Sequence, residues 1–207
     1  MNVAIISYGT GNIASLGRAL RSLGVNSYLA ETKNDLVKAN SIIFPGVGHF
    51  ANAANNLEKS GLREYIKNLI LDGIPTLGIC LGFQLLTLSS EESINLPGLG
   101  FLPFYTIRLK VENKILNKIP HLGWNTIHSS SKESKLLNGI DLEEQIFYYS
   151  NAFGVLKSDS PEYIQASYIH EKELIALVEY KNIYGVQFHP EKSRQQGLKL
   201  LKNFLRQ

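Results

Sequence analysis

TLGICLGFQLL, residues 76–86, is the stretch on which the reading of the fold turns. It opens as a short apolar strand and continues as a helical pattern, and the two meet at Cys80, the only cysteine in the chain. Gly78 and Gly82 stand two residues to either side, where they relieve crowding at a sharp turn. G-I-C-L-G has the spacing of a nucleophile elbow, usually written G-x-S-x-G, which projects its central side chain from the carboxyl end of a sheet. A helix amino terminus beneath the sulfur favours thiolate over thiol, and the N–H of Leu81 is then available as an oxyanion donor. Read by itself, the same segment also describes an inert cysteine packed as a small hydrophobe.

Upstream, short apolar runs alternate with helical patterns. NVAIIS (2–7) is followed by an amphipathic stretch from Asn12 to Leu23 that closes at Gly24. VNSYLA (25–30), SIIFPG (41–46), two helical patterns across 50–72 and PTLGIC (75–80) complete the series. Buried strands alternating with helices imply right-handed crossovers, so the expected core is α/β: a doubly wound, mainly parallel sheet with helices on both faces. Downstream, FYTIRLKV (104–111), QIFYYS (145–150), YIQASYI (163–169) and LIALVEY (174–180) are separated by Gly, Asn, Ser and Pro clusters. These predict an added, smaller antiparallel or mixed sheet. IYGVQF (183–188) returns to the buried strand pattern, and 192–206 reads as a last helix. No repeat or linker divides residues 1–207, which are expected to form one domain.

Composition narrows the function. Twenty-one basic and 18 acidic residues leave a net charge of +3 with no run of five like charges, so nucleic acid is not an implied partner. No apolar stretch has the length of a membrane span, and MNVAIIS lacks the features of a secretory signal, so a cytoplasmic protein is expected. One cysteine forms no internal disulfide and no zinc site, and neither a metal nor an organic cofactor is expected.

A nucleophilic thiol needs a base within reach, and the base needs an orienting group. YGVQFHPEKS (184–193) offers His189 at the end of another strand and Glu191 two residues later. Glu191 also fits an ordinary first-turn acid. In FPGVGHF (44–50), Gly46, Val47 and Gly48 can turn backbone N–H groups toward a developing oxyanion, or can simply connect a strand to a helix. GTGN (9–12) matches no nucleotide loop.

P-G-V-G, G-I-C-L-G-F-Q-L-L and F-H-P-E-K-S, in this order, resemble the class I, or triad type, glutamine amidotransferases over most of the chain. PHLGWN (120–125), SYGTGNIASL (7–16) and GLGFL (98–102) are most similar to the branch of glutaminase subunits that serve imidazole glycerol phosphate synthesis in the histidine pathway. The resemblance implies that Cys80 attacks the carboxamide of glutamine, that His189 held by Glu191 moves the proton, and that Leu81 and the 46–48 loop stabilise the oxyanion. It also implies that Gln84, Glu92, Ser150 and Asn151 bind glutamine. The implied partner is a (β/α)8 barrel synthase that receives the ammonia, with Pro120, His121, Gly123, Trp124, Lys192 and Asn12 at the interface and with His121 and Trp124 buried against that partner. One segment departs from the family pattern: where relatives read Y-F-V-H-S-Y, IFYYSNAF (146–153) puts Tyr149 at the His position and Asn151 at the aromatic one. That departure leaves two other readings open, a paralogous glutaminase serving amidination of a sugar in surface polysaccharide assembly and a non-enzymatic docking module. A thiol hydrolase of similar elbow would explain Cys80 but not F-H-P-E or P-H-L-G-W-N.

Overall fold

The computed structural model describes residues 1–9, 13–112, 118–129, 134–158 and 160–207. Its first half follows the expected alternation: β1 (Asn2–Ile6), α1 (Ile13–Ser22), β2 (Asn26–Ala30), α2 (Lys33–Leu36), β3 (Ser41–Phe44), α3 (Phe50–Lys59), α4 (Leu62–Leu71), β4 (Thr76–Ile79) and α5 (Leu81–Leu86). The second half is mostly strand: β5 (Ser89–Ser90), β6 (Ser93–Pro97), β7 (Tyr105–Arg108), β8 (His121–Thr126), β9 (His128–Ser129), β10 (Ile146–Asn151), β11 (Phe153–Val155), β12 (Ile164–His170), β13 (Lys172–Tyr180) and β14 (Ile183–Val186), closed by α6 (Arg194–Phe204).

The main sheet has the order β2-β1-β3-β4-β14-β13-β12-β9. Its β2, β1, β3, β4 and β14 run parallel, and β13, β12 and β9 continue it antiparallel. Period-two alternation in β1 explains why both faces are covered. Val3 and Ile5 pack with α1 and α6, while Ala4 and Ile6 pack with α3, α4 and α5.

Three of the four downstream runs do not lie where the sequence places them. Strands β12 and β13 extend the main sheet instead of joining an added one. The turns decide this: a two-residue loop with Lys181 at φ 54° lays β13 back along β14, and a single residue, Glu171 at φ 62°, reverses β12 onto β13. Only β7 enters the smaller mixed sheet, of order β11-β7-β5-β6, and β10 pairs with β8 in a separate two-stranded ribbon.

Glycines in the elbow answer to close approach. A Cβ at Gly78 would lie 2.6 Å from the Phe83 nitrogen, and one at Gly82 would lie 2.2 Å from the Phe44 carbonyl oxygen. Both obstacles are backbone, so neither can swing aside. Gly82→Ala is therefore expected to destabilise the chain by about 3 kcal/mol, at the upper end of overpacking costs. Equilibrium denaturation in urea checks this, and an unchanged midpoint would mean that α5 sits further from β3 than described.

Candidate active site

Strands β3, β4 and β14 are adjacent and parallel, so their carboxyl ends open on one rim. The 45–49 loop, Cys80 and the 187–191 segment leave the sheet at that rim, which is how residues more than a hundred positions apart meet. Cys80 adopts φ 48° and ψ −104°, a conformation rare for any residue with a Cβ, and its N–H is held by the Val186 carbonyl at 2.7 Å. The strained turn aims the sulfur across the sheet end toward β14 and β10. Sγ lies 3.4 Å from Gln187 Nε2 and 3.9 Å from the Ser150 carbonyl oxygen, and the residue is 5% exposed. Its surroundings are polar on the side that matters, which an inert packed cysteine would not require.

His189 is fully buried, and its Nδ1 lies 2.9 Å from Glu191 Oε1. Nε2 makes no hydrogen bond of its own. Burial alone would push this imidazole down; the charge of Cys80, then the hydrogen bond and the charge of Glu191, override that and raise it to about 10. The ring's backbone is pinned as well. Its N–H donates to the Tyr148 carbonyl at 2.8 Å, while Ser193 Oγ donates to the His189 carbonyl at 2.6 Å and accepts from the Tyr148 N–H at 3.0 Å. Thus β10 presents one carbonyl to the imidazole-bearing segment and the next but one to the sulfur.

Gly46 approaches the same ring, because a Cβ there would lie 3.0 Å from His189 Cε1. Gly48 follows two residues later at φ 134°, a backbone conformation that favours glycine. Tyr8 Oη donates to the Pro45 carbonyl and fixes the loop's start. Leu81 is the first residue of α5, so its N–H is one that no turn of the helix can accept.

Gln84 is buried, and its Nε2 donates to the Phe153 carbonyl at 3.1 Å and to Gln187 Oε1 at 3.2 Å. Gln187 therefore links Gln84 to Cys80. The sequence reading missed Gln187; its place two residues before His189, at the end of a buried strand, is the signal that could have found it. Glu92 Oε2 accepts from the Phe50 N–H at 2.7 Å, and its other oxygen lies 3.8 Å from His49 Nε2. It anchors the far end of the glycine loop to the start of α3.

The departure at 149–151 is explained by the pleat of β10. Phe147, Tyr149 and Asn151 face the core, and Tyr148 and Ser150 the other side. Tyr149 stacks on Tyr168 (4.4 Å between centroids) and His121 (5.0 Å) and touches Phe188 edge-on (5.8 Å). Its ring is thus held in the aromatic layer behind β10. Asn151 Nδ2 donates to Phe153 O at 2.9 Å and to Tyr168 Oη at 3.1 Å, while Oδ1 is buried without a partner.

PHLGWN is a strand. Opposite Tyr149 lies Gly123, at φ 140°, and the alternation of β8 puts Leu122 and Trp124 outside, 61% and 42% exposed. His121, directly after Pro120, turns inward onto Tyr149, Tyr168 and His170, so the expected pair splits between the two faces. Burial, then His170, lowers the His121 imidazole to about 4. Arg194 lies over the Trp124 ring at 4.7 Å, and Lys192 Nζ over Tyr148 at 5.6 Å. Asn12 lies outside the described residues.

The two imidazoles should titrate far apart. His189 is expected to remain imidazolium at about pH 8, below its raised value, and His121 to remain neutral at about pH 5, above its lowered one. Imidazole carbon and nitrogen shifts across a pH titration check both; a His189 that titrates near 6.5 would mean that the sulfur does not act on the ring.

Among the described residues, no group of three or more metal-ligating side chains occurs, and no helix is long and apolar enough to cross a membrane.

The family model described as glutamine amidotransferase class-I matches residues 4–207. The imidazole glycerol phosphate synthase subunit HisH 2 of Methanococcus maripaludis is 40% identical over 206 residues, covering 99% of each chain. The chloroplastic imidazole glycerol phosphate synthase hisHF of Arabidopsis thaliana is 37% identical over 98% of this chain, which spans 34% of that longer protein. Among solved structures, a glutamine amidotransferase superposes with a TM-score of 0.74 at 17% identity, covering 99% of this chain and 97% of that one, a likeness of fold.

Proposed function

The chain belongs to the class-I glutamine amidotransferases, and from that premise we propose that residues 1–207 are one glutaminase domain that hydrolyses glutamine to glutamate and ammonia for a synthase partner making imidazole glycerol phosphate. The observation that carries this reading is the meeting of Cys80, His189 and Glu191 on one rim, with the imidazole raised by the sulfur and the carboxylate.

In the proposed reaction Sγ, as thiolate, attacks the carboxamide carbon, and the oxyanion is met by the N–H of Leu81 and by those of Gly46, Val47 and Gly48. The imidazolium of His189 protonates the departing nitrogen, the C–N bond breaks, and ammonia leaves a thioester on Cys80. That step removes the negative charge that did most to raise the imidazole. The ring is then free to take a proton from water, whose oxygen attacks the thioester and releases glutamate and the thiolate. Glutamate and ammonia account for all atoms of glutamine and water. Gln84 and Gln187 hold the floor beneath the sulfur, Glu92 fits the α-ammonium of the substrate, and Ser150 and Asn151 line the site through the backbone of β10.

The proposed partner is a (β/α)8 barrel, docked where Leu122 and Trp124 are exposed beside Lys192, with Pro120, His121 and Gly123 flanking. That the plant relative carries the matching segment as about a third of one longer chain is what a permanently joined partner would look like. Cys80 and His189 are almost closed to solvent, so glutamine entry requires the glycine loop to move. The isolated chain should therefore turn glutamine over slowly, and the ligand-loaded partner should accelerate it by at least about a hundredfold, a coupling within the usual allosteric range. Glutamate release measured with and without the partner tests this; equal rates would remove the partner from the reading. The histidine-pathway relatives favour this acceptor over a sugar, and the intact trio disfavours a docking module.

A further inference from the structure

Away from the rim, a pocket of about 100 Å³ opens between the end of β7 and the β12–β13 hairpin. None of Cys80, His189 or Glu191 lines it. Its floor is apolar: Ile107, Leu109 and Leu174, the last two at least 95% buried. Its rim is cationic, with Arg108, Lys110 and Lys172 facing one acid, Glu91. Glu91 Oε2 accepts the Arg108 backbone N–H at 2.7 Å, which fixes the carboxylate in place while leaving its charge, so three cations stand against one anion. Among the described residues neither lysine pairs with an acid, whereas nearby Lys157 holds Glu173 at 2.7 Å. One wall is His170, 4% exposed; its Nε2 meets the Lys118 carbonyl at 3.2 Å and its Nδ1 is buried without a partner.

Three cations against one carboxylate leave the concavity net positive, and an anion of single charge relieves the remaining repulsion. Charge alone would suit inorganic phosphate, but a floor of Leu and Ile is poorly used by an ion with no apolar part. A cavity of roughly 150 Å³ holds benzene, so this one has room for a branched body of about four carbons. We propose that the pocket bounded by Arg108, Lys110, Lys172, His170, Leu109 and Leu174 is a second binding site, one that takes a small organic carboxylate with its aliphatic body on the leucines and its charge between the lysines. This site is independent of the glutaminase reading, since it shares no residue with the triad.

Calorimetric titration of the full chain with 3-methylbutanoate tests it, together with methyl spectra that follow Ile107 and Leu174. Saturable binding that shifts those methyls is expected, and it should weaken at least about fivefold in Lys110→Ala/Lys172→Ala. Lys172→Glu should weaken it further, and both variants are exposed replacements that leave the core untouched. Neutral 3-methylbutanamide and inorganic phosphate should each bind at least about fivefold more weakly than the acid. Equal binding of the amide would show a merely apolar pocket, equal binding of phosphate a merely electrostatic one, and undiminished binding in the variants a different location. Any of these, or no binding at tens of millimolar, overturns the proposal.

Discussion

Cys80→Ala is expected to lower glutamine hydrolysis by about 10⁴-fold or more, because no other group on the rim can form the thioester. The residual rate would come from the oxyanion donors and from binding alone. Folding should be almost unaffected: the exchange removes one sulfur atom at a turn whose geometry is set by Gly78 and Gly82 and by the Val186 carbonyl. A stability change within about 1 kcal/mol is expected. When the chain is paired with its synthase, added ammonia should still support product formation, since the acceptor chemistry lies in the partner. Glutamate release and product formation measured side by side separate the two activities. Glutamine-dependent turnover above about one hundredth of the parent rate would place the nucleophile elsewhere.

Glu191→Gln should cost about 10³- to 10⁴-fold in kcat with little change in KM. The carboxylate accepts from Nδ1 at 2.9 Å and so leaves Nε2 to face the sulfur side with the right tautomer. A carboxamide can turn its NH2 toward Nδ1, which puts the proton on Nε2 in the neutral ring and blocks it from taking one. Loss of the acid also removes part of what raises the imidazole, so His189 should titrate below about 10 in the variant. For stability the sign follows from that shift. A histidine raised above its unfolded value of about 6.5 stabilises the fold below that pH and loses the contribution as pH climbs through about 10. The variant should therefore lose stability at neutral pH and approach the parent above pH 10. A kcat loss of less than about tenfold, with the imidazole unmoved, would reduce Glu191 to a cap on the Pro190–Lys192 turn.

His121 and His189 show how far environment governs one residue type. His121 is pushed down by burial and by neighbouring His170, whereas His189, more deeply buried still, is pushed up because a sulfur and a carboxylate face it. The local sequence carries only half of that difference: H-P-E-K holds the acid and H-L-G-W does not, but the sulfur reaches His189 from 109 positions away.

The α/β alternation of the first half, the elbow and the identity of the trio are legible in the sequence, because each rests on something local. Periodicity marks the strands and helices. Glycines sit where backbone passes within van der Waals distance of backbone, and His189 and Glu191 are neighbours in one turn. Tertiary structure alone decides what depends on partners far along the chain. Gln187 meets Cys80 across 107 positions and Ser150 meets it across 70, so neither contact leaves a local pattern. The same holds for β12 and β13. Their composition suits any sheet, and only the tight turns at Glu171 and Lys181 commit their unpaired edges to β14 and the main sheet. Nor could the alternation of PHLGWN by itself show which of its faces is inner; pairing with β10 settles it, turning His121 onto Tyr149 and leaving Trp124 in the open, because backbone hydrogen bonds fix the register and the register fixes the faces.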